Sequence, residues 1–437
     1  MGVIDGVAAA ALYLIGWERA FSFDASRTVG QFVTAGSLGE VFGQDRFNNH
    51  PLFSLVEHIV FVVTGSSGER LMRLVPILCG ALAVGLVGAA AARRWGGLAG
   101  HVAGLGLTLN PLAVRQFREV RGYALVTLAA VVATLLLFSL RRRPRATTAI
   151  AYTGALAAGI ATHLFALGLV PVHAFVVLGS QPRPRLRPWV GRWVAAVAAG
   201  LLVQMPAIAD GLRTPPHSVF APTFPLRLAA NLLGGAALPA MAVLVGVGAL
   251  VLLRSRAWVA WALAGTAALL AASWIASPSW LDSRFFICLV PAAAVAAGVA
   301  VAHRPALAWL AGAGLAVQLV AAAPGLGQSE VANRTAAGFV RAAQARGATA
   351  CALGRTRAGL LAYVDIPVQR EALGLQPCDV AVEAAGPTPE PLLGAACARF
   401  RYVLALPAMD PGALFADAPL SADRGWERTI RSPVCSG

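Results

Sequence analysis

Two short segments of this chain combine side chains that could act on a hydroxyl and on a phosphate. Asp24 follows the first apolar stretch, and Glu119 lies in Arg-Gln-Phe-Arg-Glu-Val-Arg-Gly-Tyr, residues 115–123. A carboxylate can accept the proton of an attacking hydroxyl, and guanidinium groups pair bidentately with phosphate oxygens. The second segment equally fits a salt-bridge belt at a membrane interface with Tyr123 as aromatic anchor. Both interpretations remain open from these residues.

Two histidines and a further arginine occupy comparable positions. His50 lies in Asn-Asn-His-Pro-Leu-Phe, His163 separates two apolar stretches with almost no loop, and Arg284 directly precedes another apolar stretch. Taken alone, a histidine at such a junction is more often buried and hydrogen-bonded, and a lone loop aspartate is more often solvated. A functional interpretation therefore requires that these distant residues meet in one site.

The composition excludes an ordinary soluble domain. Hydrophobic residues make up 58% of the chain, charged residues make up 13%, and the mean hydropathy is +0.69. The formal net charge of +15 would suit a nucleic-acid partner, but the arginines form short dispersed clusters and not one continuous face. We interpret these clusters as topology signals and contacts to anionic membrane lipids, and we expect no nucleic-acid partner.

The apolar stretches predict an α-helical polytopic membrane protein. A spanning helix needs roughly 17–25 mostly apolar residues. About eleven stretches meet this requirement: Val3–Phe21, Leu74–Ala92, Leu98–Val114, Gly122–Leu140, Ala146–Thr162, Leu164–Ser180, Trp193–Ala209, Leu232–Leu253, Ala257–Ile275, Phe285–Ala302 and Ala306–Ala323. The first stretch lacks a basic segment before it and a convincing cleavage site, so we expect it to be a retained helix.

The distribution of charge predicts the orientation. The basic clusters contain no acidic residue, and they are Arg93-Arg94, 141–145, 183–192, Arg254-Ser255-Arg256 and Arg304. An excess of arginine marks the cytoplasmic side, so the carboxylates of the alternate loops face outward. Pro51–Gly65 is apolar but short, and a crossing there would move every later cluster outside. We therefore predict that it is an outer interfacial helix, that the amino terminus is cytoplasmic and that the carboxyl tail is extracytoplasmic.

From Pro324 onward the composition changes, which predicts a transmembrane domain of residues 1–323 and a small extracytoplasmic α/β domain of residues 324–437. Ala332–Arg346 and Arg357–Tyr363 are expected to be helices, and Ala350–Leu353 and Tyr402–Ala405 strands. Four of the six cysteines lie in this tail, namely Cys351, Cys378, Cys397 and Cys435. An extracytoplasmic set of four suggests two disulfides, with three connectivities open.

The order of several short motifs resembles the GT-C class of membrane glycosyltransferases. The motifs are the outer Asp24, His-Pro-Leu-Phe, Glu-Arg-Leu-Met-Arg-Leu-Val-Pro, Ala-Arg-Arg-Trp-Gly-Gly, Leu-Asn-Pro-Leu, Arg-Glu-Val-Arg-Gly-Tyr-Ala-Leu and Thr-His-Leu-Phe-Ala-Leu. Within that class the chain looks most like the bacterial branch related to protein O-mannosyltransferases and the lipid A aminoarabinose transferase. The resemblance extends over about residues 10–180, and Arg284 with the following Pro291 matches a later feature weakly.

This resemblance implies a transferase that takes a sugar from a polyprenyl-phosphate-linked donor. The family's outer-loop aspartate maps onto Asp24 as candidate base, and its second acidic residue maps onto Glu119. His50, Arg121 and Tyr123 fall on adjoining motifs. We expect these three residues to bind substrate. We expect the same of His163 and Arg284, which lie at other outer junctions.

Two departures from the family pattern concern metal binding and the interfacial helix. Ala25 replaces the acidic residue often found after the aspartate, and Leu52 replaces a second proline. The first departure weakens the case for a two-carboxylate metal site. We therefore predict no metal ligand and no cofactor, and nothing in the sequence supports a divalent metal.

The expected partners are a polyprenyl-phosphate sugar, a glycan, lipid or protein acceptor, and membrane lipids. The resemblance places the protein in a bacterial inner membrane. A lipid or solute transporter or flippase and a non-catalytic membrane scaffold are the alternatives. Transporters usually carry ionisable residues near the bilayer midplane and contain inverted repeats, and neither feature is evident here.

Overall fold

The computed structural model describes most of the first 327 residues and short parts of the remainder. The described residues are 1–43, 48–179, 186–213, 224–255, 266, 283–327, 341, 345, 350–353, 368–369, 380–384 and 402–406. The chain divides into two compact units. One comprises residues 1–17, 36–60 and 71–327, and the other comprises residues 18–35, 61–70 and 328–437.

Helices dominate the described residues. In chain order they are α1 (Gly2–Leu14), α2 (Phe23–Thr28), α3 (Leu38–Val41), α4 (Pro51–Thr64), α5 (Glu69–Trp95), α6 (Gly97–Thr108), α7 (Pro111–Gln116), α8 (Tyr123–Arg142), α9 (Ala146–Thr162), α10 (Leu169–Leu178), α11 (Arg187–Arg213), α12 (Phe224–Leu233), α13 (Leu238–Ser255), α14 (Val290–His303) and α15 (Ala308–Gly327). A π-helical segment spans Val29–Val33, and 3-10 segments span Leu164–Gly168, Gly235–Ala237, Ser283–Leu289 and Pro305–Leu307.

Within the described residues, 6 helical segments are long and apolar enough to cross a membrane, namely Glu69–Trp95, Tyr123–Arg142, Arg187–Ala209, Gly235–Arg254, Arg284–His303 and Pro305–Ala323. Shorter apolar helices are Gly2–Leu14, Pro51–Thr64, Ala146–Thr162, Leu164–Leu178 and Phe224–Leu233. The protein is a helical integral membrane protein. The predicted crossing at Ala257–Ile275 lies outside the described residues apart from Thr266, so the number of crossings and their orientation stay predictions.

Two of the predicted uninterrupted helices are broken, and each break has a local cause. The predicted stretch Leu98–Val114 is divided between α6 and α7, because Pro111 starts a new helix and Asn110 caps it. The Asn110 side chain accepts the N–H groups of Leu112 at 3.0 Å and Ala113 at 3.2 Å. The predicted stretch Leu232–Leu253 breaks where Gly234 adopts a φ of 97°, a conformation that favours glycine.

The first helix ends at Leu14 and does not continue to Phe21 as predicted, and two buried arginines bind the carbonyl groups at its end. Arg118 donates from Nε to the Tyr13 carbonyl at 3.3 Å and from Nη2 to the Ile15 carbonyl. Arg73 donates from Nη1 to the Trp17 carbonyl at 3.0 Å. The last carbonyls of a helix lack intrahelical partners and carry partial negative charge, so cationic donors stabilise them.

The amino-terminal helix packs on α5 and α6 through small residues around one buried carboxylate. Asp5 is 2% exposed, and its Oδ1 lies 2.8 Å from Nδ1 of His101 on α6. A Cβ atom at Gly88 or Gly104 would lie 2.7 Å or 2.8 Å from Oδ2 of Asp5. Glycine at both positions is what allows the carboxylate to sit between the three helices.

A hydrogen-bonded chain joins α8, α9, α10 and α11. Trp193 donates from Nε1 to the hydroxyl of Tyr152 at 2.9 Å, and that hydroxyl lies 3.0 Å from Nδ1 of His173. The other ring nitrogen of His173 lies 3.2 Å from the hydroxyl of Thr134. Because Tyr152 accepts from Trp193, it can donate to His173, and the chain is satisfied with a neutral imidazole. These bonds fix α9, the helix that leads to His163.

Four short strands are described in the second unit: β1 (Ala350–Leu353), β2 (Val368–Gln369), β3 (Val380–Ala384) and β4 (Tyr402–Leu406). They form one parallel sheet in the order β2-β1-β3-β4. The predicted strands Ala350–Leu353 and Tyr402–Ala405 coincide with β1 and β4. The predicted helix Arg357–Tyr363 and most of the predicted helix Ala332–Arg346 fall outside the described residues, as do the side chains of the four tail cysteines.

Candidate active site

Five of the residues predicted for the site converge in the first unit, although they come from four separate places in the chain. His50 directly precedes α4, Arg121 and Tyr123 stand at the start of α8, His163 joins α9 to the following 3-10 segment, and Arg284 lies in the 3-10 segment before α14. These five residues are called the outer cluster below. His50, Tyr123 and His163 are almost completely buried, while Arg284 is partly exposed.

Within the outer cluster, Arg121 makes hydrogen-bonded contacts to His50. Arg121 lies with Nε 3.2 Å and Nη2 3.1 Å from Nε2 of His50. Its Nη2 also donates to the side-chain oxygen of Asn49 at 3.2 Å. Since arginine offers only donors, Nε2 of His50 must be the unprotonated nitrogen of a neutral ring. Asn49 was not among the predicted site residues, although it stands beside His50 in the sequence.

The backbone that carries His50 is fixed by its own neighbours. The side-chain oxygen of Asn48 accepts the N–H of His50 at 3.0 Å. The side-chain nitrogen of Asn48 donates to the carbonyl of Val41 at 2.8 Å and to the hydroxyl of Ser54 at 3.0 Å. The N–H of Ser54 in turn donates to the carbonyl of His50 at 2.9 Å. These bonds join the α3 end to the first turn of α4.

Aromatic contacts hold the rest of the cluster. The ring of His50 packs edge-on against Tyr123 with centroids 4.8 Å apart, and its centroid lies 4.9 Å from that of His163. The guanidinium carbons of Arg121 and Arg284 lie 5.6 Å and 5.9 Å from the centroid of the Tyr123 ring. Cations near an aromatic face are attracted by its quadrupole, so the Tyr123 ring attracts both guanidiniums.

The hydrogen bond that His163 accepts determines its tautomer. Its Nδ1 accepts the backbone N–H of Phe165 at 3.2 Å, so in the neutral ring the proton is on Nε2. The ring also contacts Phe285, with centroids 5.2 Å apart, and Phe285 stacks on Phe165 at 4.8 Å. The aromatic contact therefore links the α9 end to the segment that carries Arg284.

Both histidines of the outer cluster are kept neutral. Burial lowers the pKa of His163 to about 3, and Arg121 and Arg284 add to the effect. Burial also lowers the pKa of His50 well below its usual range, with Arg121 contributing next, while the Thr162 carbonyl partly offsets the shift. A charged form is disfavoured both by loss of water and by nearby like charge. The cluster thus combines two cationic groups with two uncharged imidazoles.

Gly122 permits this arrangement. A Cβ atom at this position would lie 2.8 Å from Nδ1 of His50 and 2.7 Å from Cγ2 of Thr162. Real Cβ contacts are almost never that short, and neither the packed ring nor the helix-end threonine can easily retreat. The glycine between Arg121 and Tyr123 was visible in the sequence motif, but only the packing reveals why it is needed.

The two predicted carboxylates occupy different environments. In the second unit, Asp24 lies in the first turn of α2, whose cap Ser22 accepts the N–H of Ala25 at 3.1 Å, and its side chain is partly exposed. Glu119 belongs to the first unit and is also partly exposed, and its carbonyl accepts the N–H of Arg121 at 2.7 Å. Their catalytic roles stay predictions.

The three arginines of residues 115–121 have three different environments. Arg115 is exposed on α7, Arg118 is buried at the end of α1, and Arg121 is buried beside His50. The sequence places them three residues apart and suggests a common role, whereas only Arg121 joins the outer cluster.

Among the described side chains, no group of three or more histidine, cysteine, aspartate or glutamate residues comes together in a way that could hold a metal ion. The carboxylates of Asp45, Asp210 and Asp282 lie outside these side chains.

Sequence comparison alone finds no relative: no known protein family matches the chain, and no curated protein matches it. Solved structures do match. ArnT from Cupriavidus metallidurans bound to undecaprenyl phosphate is similar over 92% of this chain and 89% of its own, with a TM-score of 0.56 and 15% identity. Its apo state gives a TM-score of 0.53.

The oligosaccharyltransferase from Archaeoglobus fulgidus, in complex with zinc and sulfate, is also similar, with a TM-score of 0.53 and 12% identity. The match covers 83% of this chain but only 62% of the archaeal protein. Both proteins are GT-C glycosyltransferases, so the chain has the GT-C membrane fold that its motifs predict.

Proposed function

We propose that this protein is an integral membrane glycosyltransferase that moves a sugar from a polyprenyl-phosphate donor to an acceptor on the extracytoplasmic face. The observation that carries the proposal is the convergence of Arg121 and Arg284 on the ring of Tyr123. Two guanidiniums from distant segments that contact one ring provide cationic groups for an anion. Arginine forks match phosphate oxygens in geometry as well as in charge.

The chemistry needs such a site. In the transfer step, the acceptor oxygen bonds to the anomeric carbon of the sugar while the bond from that carbon to the phosphate oxygen breaks. The bonding pair leaves with the polyprenyl phosphate, whose negative charge grows as the bond breaks. Preorganised cationic donors stabilise charge that develops in the transition state.

The acceptor proton requires a base. We propose Asp24 for this role, with Glu119 as a second acidic residue of the site. General-base assistance typically contributes about 10²–10⁴-fold to the rate. Asp24→Asn should therefore reduce transfer by roughly that factor and leave the melting temperature unchanged, because the side chain is partly exposed. Turnover at the wild-type rate would remove this role from Asp24.

The fold supports the choice of donor. ArnT was solved with undecaprenyl phosphate bound, and the archaeal oligosaccharyltransferase was also solved with a tethered acceptor peptide. A lipid-linked donor suits a helical membrane protein, since the polyprenyl tail stays in lipid while the sugar reaches the aqueous boundary.

The direct test is to reconstitute the purified protein in lipid nanodiscs with radiolabelled polyprenyl-phosphate sugars. Release of free polyprenyl phosphate coupled to label transfer supports the proposal. Arg121→Gln and Arg284→Gln should each reduce turnover by at least about 10²-fold, as loss of one charge-stabilising donor commonly does. Arg115→Gln is the matched control, because Arg115 is exposed on α7. If the protein binds the donor but shows no turnover with any acceptor tested, the transporter or scaffold alternative is favoured.

A further inference from the structure

We infer that His50 is a positioning residue whose neutral Nε2 orients the guanidinium of Arg121 toward the donor phosphate. The inference rests on the proposed function, because it assigns the phosphate to Arg121. It changes the role of His50 from a residue that touches substrate to one that acts through its neighbour.

His50 and Asn49 contact one edge of the Arg121 guanidinium. Nε and Nη2 of arginine form one edge of the planar fork, and both lie within 3.2 Å of Nε2 of His50. Asn49 takes a further N–H of Nη2 at 3.2 Å. These contacts hold the Nε–Nη2 edge of the guanidinium, which restrains its plane and places Nη1 on the edge away from His50.

Both ring nitrogens of His50 face groups of the protein. Its Nε2 is occupied by Arg121, and its Nδ1 faces the Gly122 backbone and Thr162, where even a single added carbon would lie 2.8 Å away. Neither nitrogen is therefore directed at a substrate hydroxyl. A base or a substrate ligand needs one nitrogen within hydrogen-bond reach of the reacting group, so His50 fits neither role.

The ring of His50 is itself held by hydrogen bonds to its backbone and by aromatic packing. Asn48 binds the His50 backbone at 3.0 Å and ties it to Ser54, while the rings of Tyr123 and His163 pack at 4.8 Å and 4.9 Å. A residue that orients another side chain must itself be held in one rotamer by packing and hydrogen bonds, because otherwise the side chain it contacts can move with it. His50 is 1% exposed and meets that requirement.

The arrangement requires an uncharged ring. A protonated His50 would present an N–H from Nε2 to the N–H groups of Arg121, which replaces a hydrogen bond by repulsion between two cations. The burial of the ring and the proximity of Arg121 both disfavour that state. The orientation of Arg121 is therefore stable over the neutral pH range and is lost when the ring is forced to carry charge.

The test uses two replacements that differ in reach. The side-chain oxygen of glutamine reaches about as far as Nε2 of histidine, whereas that of asparagine stops near Nδ1. We expect His50→Asn to weaken binding of undecaprenyl phosphate to the purified, detergent-solubilised protein about 10-fold, which equals about 1.4 kcal/mol. His50→Gln should restore affinity to within about threefold of wild type. His58→Leu, on α4, is the matched histidine control and should bind as wild type does.

A double-mutant cycle separates positioning from a general loss of structure. If His50 acts through Arg121, the variant that carries His50→Asn and Arg121→Gln should bind no more weakly than Arg121→Gln alone. Additive losses would overturn the inference, as would wild-type affinity of His50→Asn. Should His50→Asn fail to fold, Asn49→Ala replaces it in the same cycle, because Asn49 holds the same Nη2.

The measurement also distinguishes this inference from the proposed function. If Arg121→Gln binds undecaprenyl phosphate as tightly as wild type, the assignment of the phosphate to Arg121 fails and the inference fails with it. If Arg121→Gln loses affinity while His50→Asn does not, only the positioning role is wrong. Coupled losses in both variants support the two together.

Discussion

Arg118 donates from Nε to the carbonyl of Tyr13 at 3.3 Å and thereby ties the segment before Arg121 to the end of the first helix. Arg73 adds a second connection, because its Nε donates to the carbonyl of Arg118 at 3.2 Å. One turn of chain thus receives hydrogen bonds from α5 and gives them to α1. The position of Arg121 depends on this anchoring three residues before it.

The first prediction follows from that anchoring. Arg118→Gln should reduce both thermal stability and transfer, since removing the guanidinium leaves buried carbonyl groups without donors at a cost of about 1–3 kcal/mol each. The melting temperature in detergent, followed with turnover, checks the result. Arg115→Gln alters the same segment at an exposed position and should change neither. A stable Arg118→Gln protein with full activity would contradict the anchoring role.

The second prediction concerns Gly122. Gly122→Ala should destabilise the protein by about 1–3 kcal/mol, the usual cost of overpacking, and should reduce donor affinity because His50 or Thr162 must shift. Gly154→Ala is the control. Gly154 lies within α9 with no atom within 4 Å of an added Cβ, so alanine there should stabilise by about 0.5–1 kcal/mol through its helix propensity. Equal behaviour of the two variants would refute the steric argument.

The third prediction concerns pH. The folded-state pKa values of His50 and His163 lie below the usual 6.5, so the unfolded chain binds protons first as the pH falls. Stability contributed by these two rings is therefore complete above about pH 6.5 and declines steadily from there toward pH 3. Turnover should have no titration near pH 6.5 that originates in either ring.

Melting temperatures measured from pH 8 to pH 4.5 test this dependence. In the double variant His50→Gln, His163→Asn the acid-side decline should be shallower than in wild type. An identical slope in the two proteins would assign the decline to other groups.

The fourth prediction concerns Glu57. This residue is completely buried on α4, and within the part of the chain that the structure describes neither of its carboxylate oxygens has a hydrogen-bond partner. Burial raises the pKa of Glu57 well above its usual range, which favours the uncharged carboxylic acid. Glu57→Leu should raise the melting temperature, because an unsatisfied buried polar group costs about 1–3 kcal/mol.

Glu40→Gln provides the comparison for Glu57. Glu40 is exposed and accepts the N–H of Gly36 at 3.1 Å, so its replacement should change stability by less than about 0.5 kcal/mol. A lower melting temperature for Glu57→Leu would mean that the carboxyl group is satisfied in solution, for instance by buried water.

The sequence supports the fold further than it supports the site. Apolar length identifies a polytopic helical protein, the arginine clusters predict its orientation, and the order of short motifs leads to the GT-C fold. The helix breaks at Pro111 and Gly234 were harder to predict. Proline and glycine are tolerated in spanning helices, and they interrupt a helix only where neighbouring groups satisfy the freed backbone groups. The membrane pattern alone does not distinguish these cases.

Within the site, the roles of the residues stay predictions. His50, Tyr123, His163 and Arg284 lie in one cluster, and their binding of substrate is still expected from their motifs alone. The different environments of Arg118 and Arg121 could not be predicted, since the direction of a side chain near a helix start depends on which carbonyl groups lie opposite. The tautomer of His50 likewise follows from its contact with Arg121, a residue far away in the chain, whereas that of His163 follows from the backbone N–H of Phe165 two residues on.

The carboxylate of Asp5 gives the first helix an identity beyond its hydrophobicity. A generic membrane anchor of equal length would satisfy the bilayer, yet it would leave a void between Gly88 and Gly104 and abandon His101. Exchange of α1 for an unrelated anchor should therefore yield a protein that inserts but assembles poorly. A chimera that carries α1 of this protein must also carry Gly88 and Gly104, because both lie against Asp5.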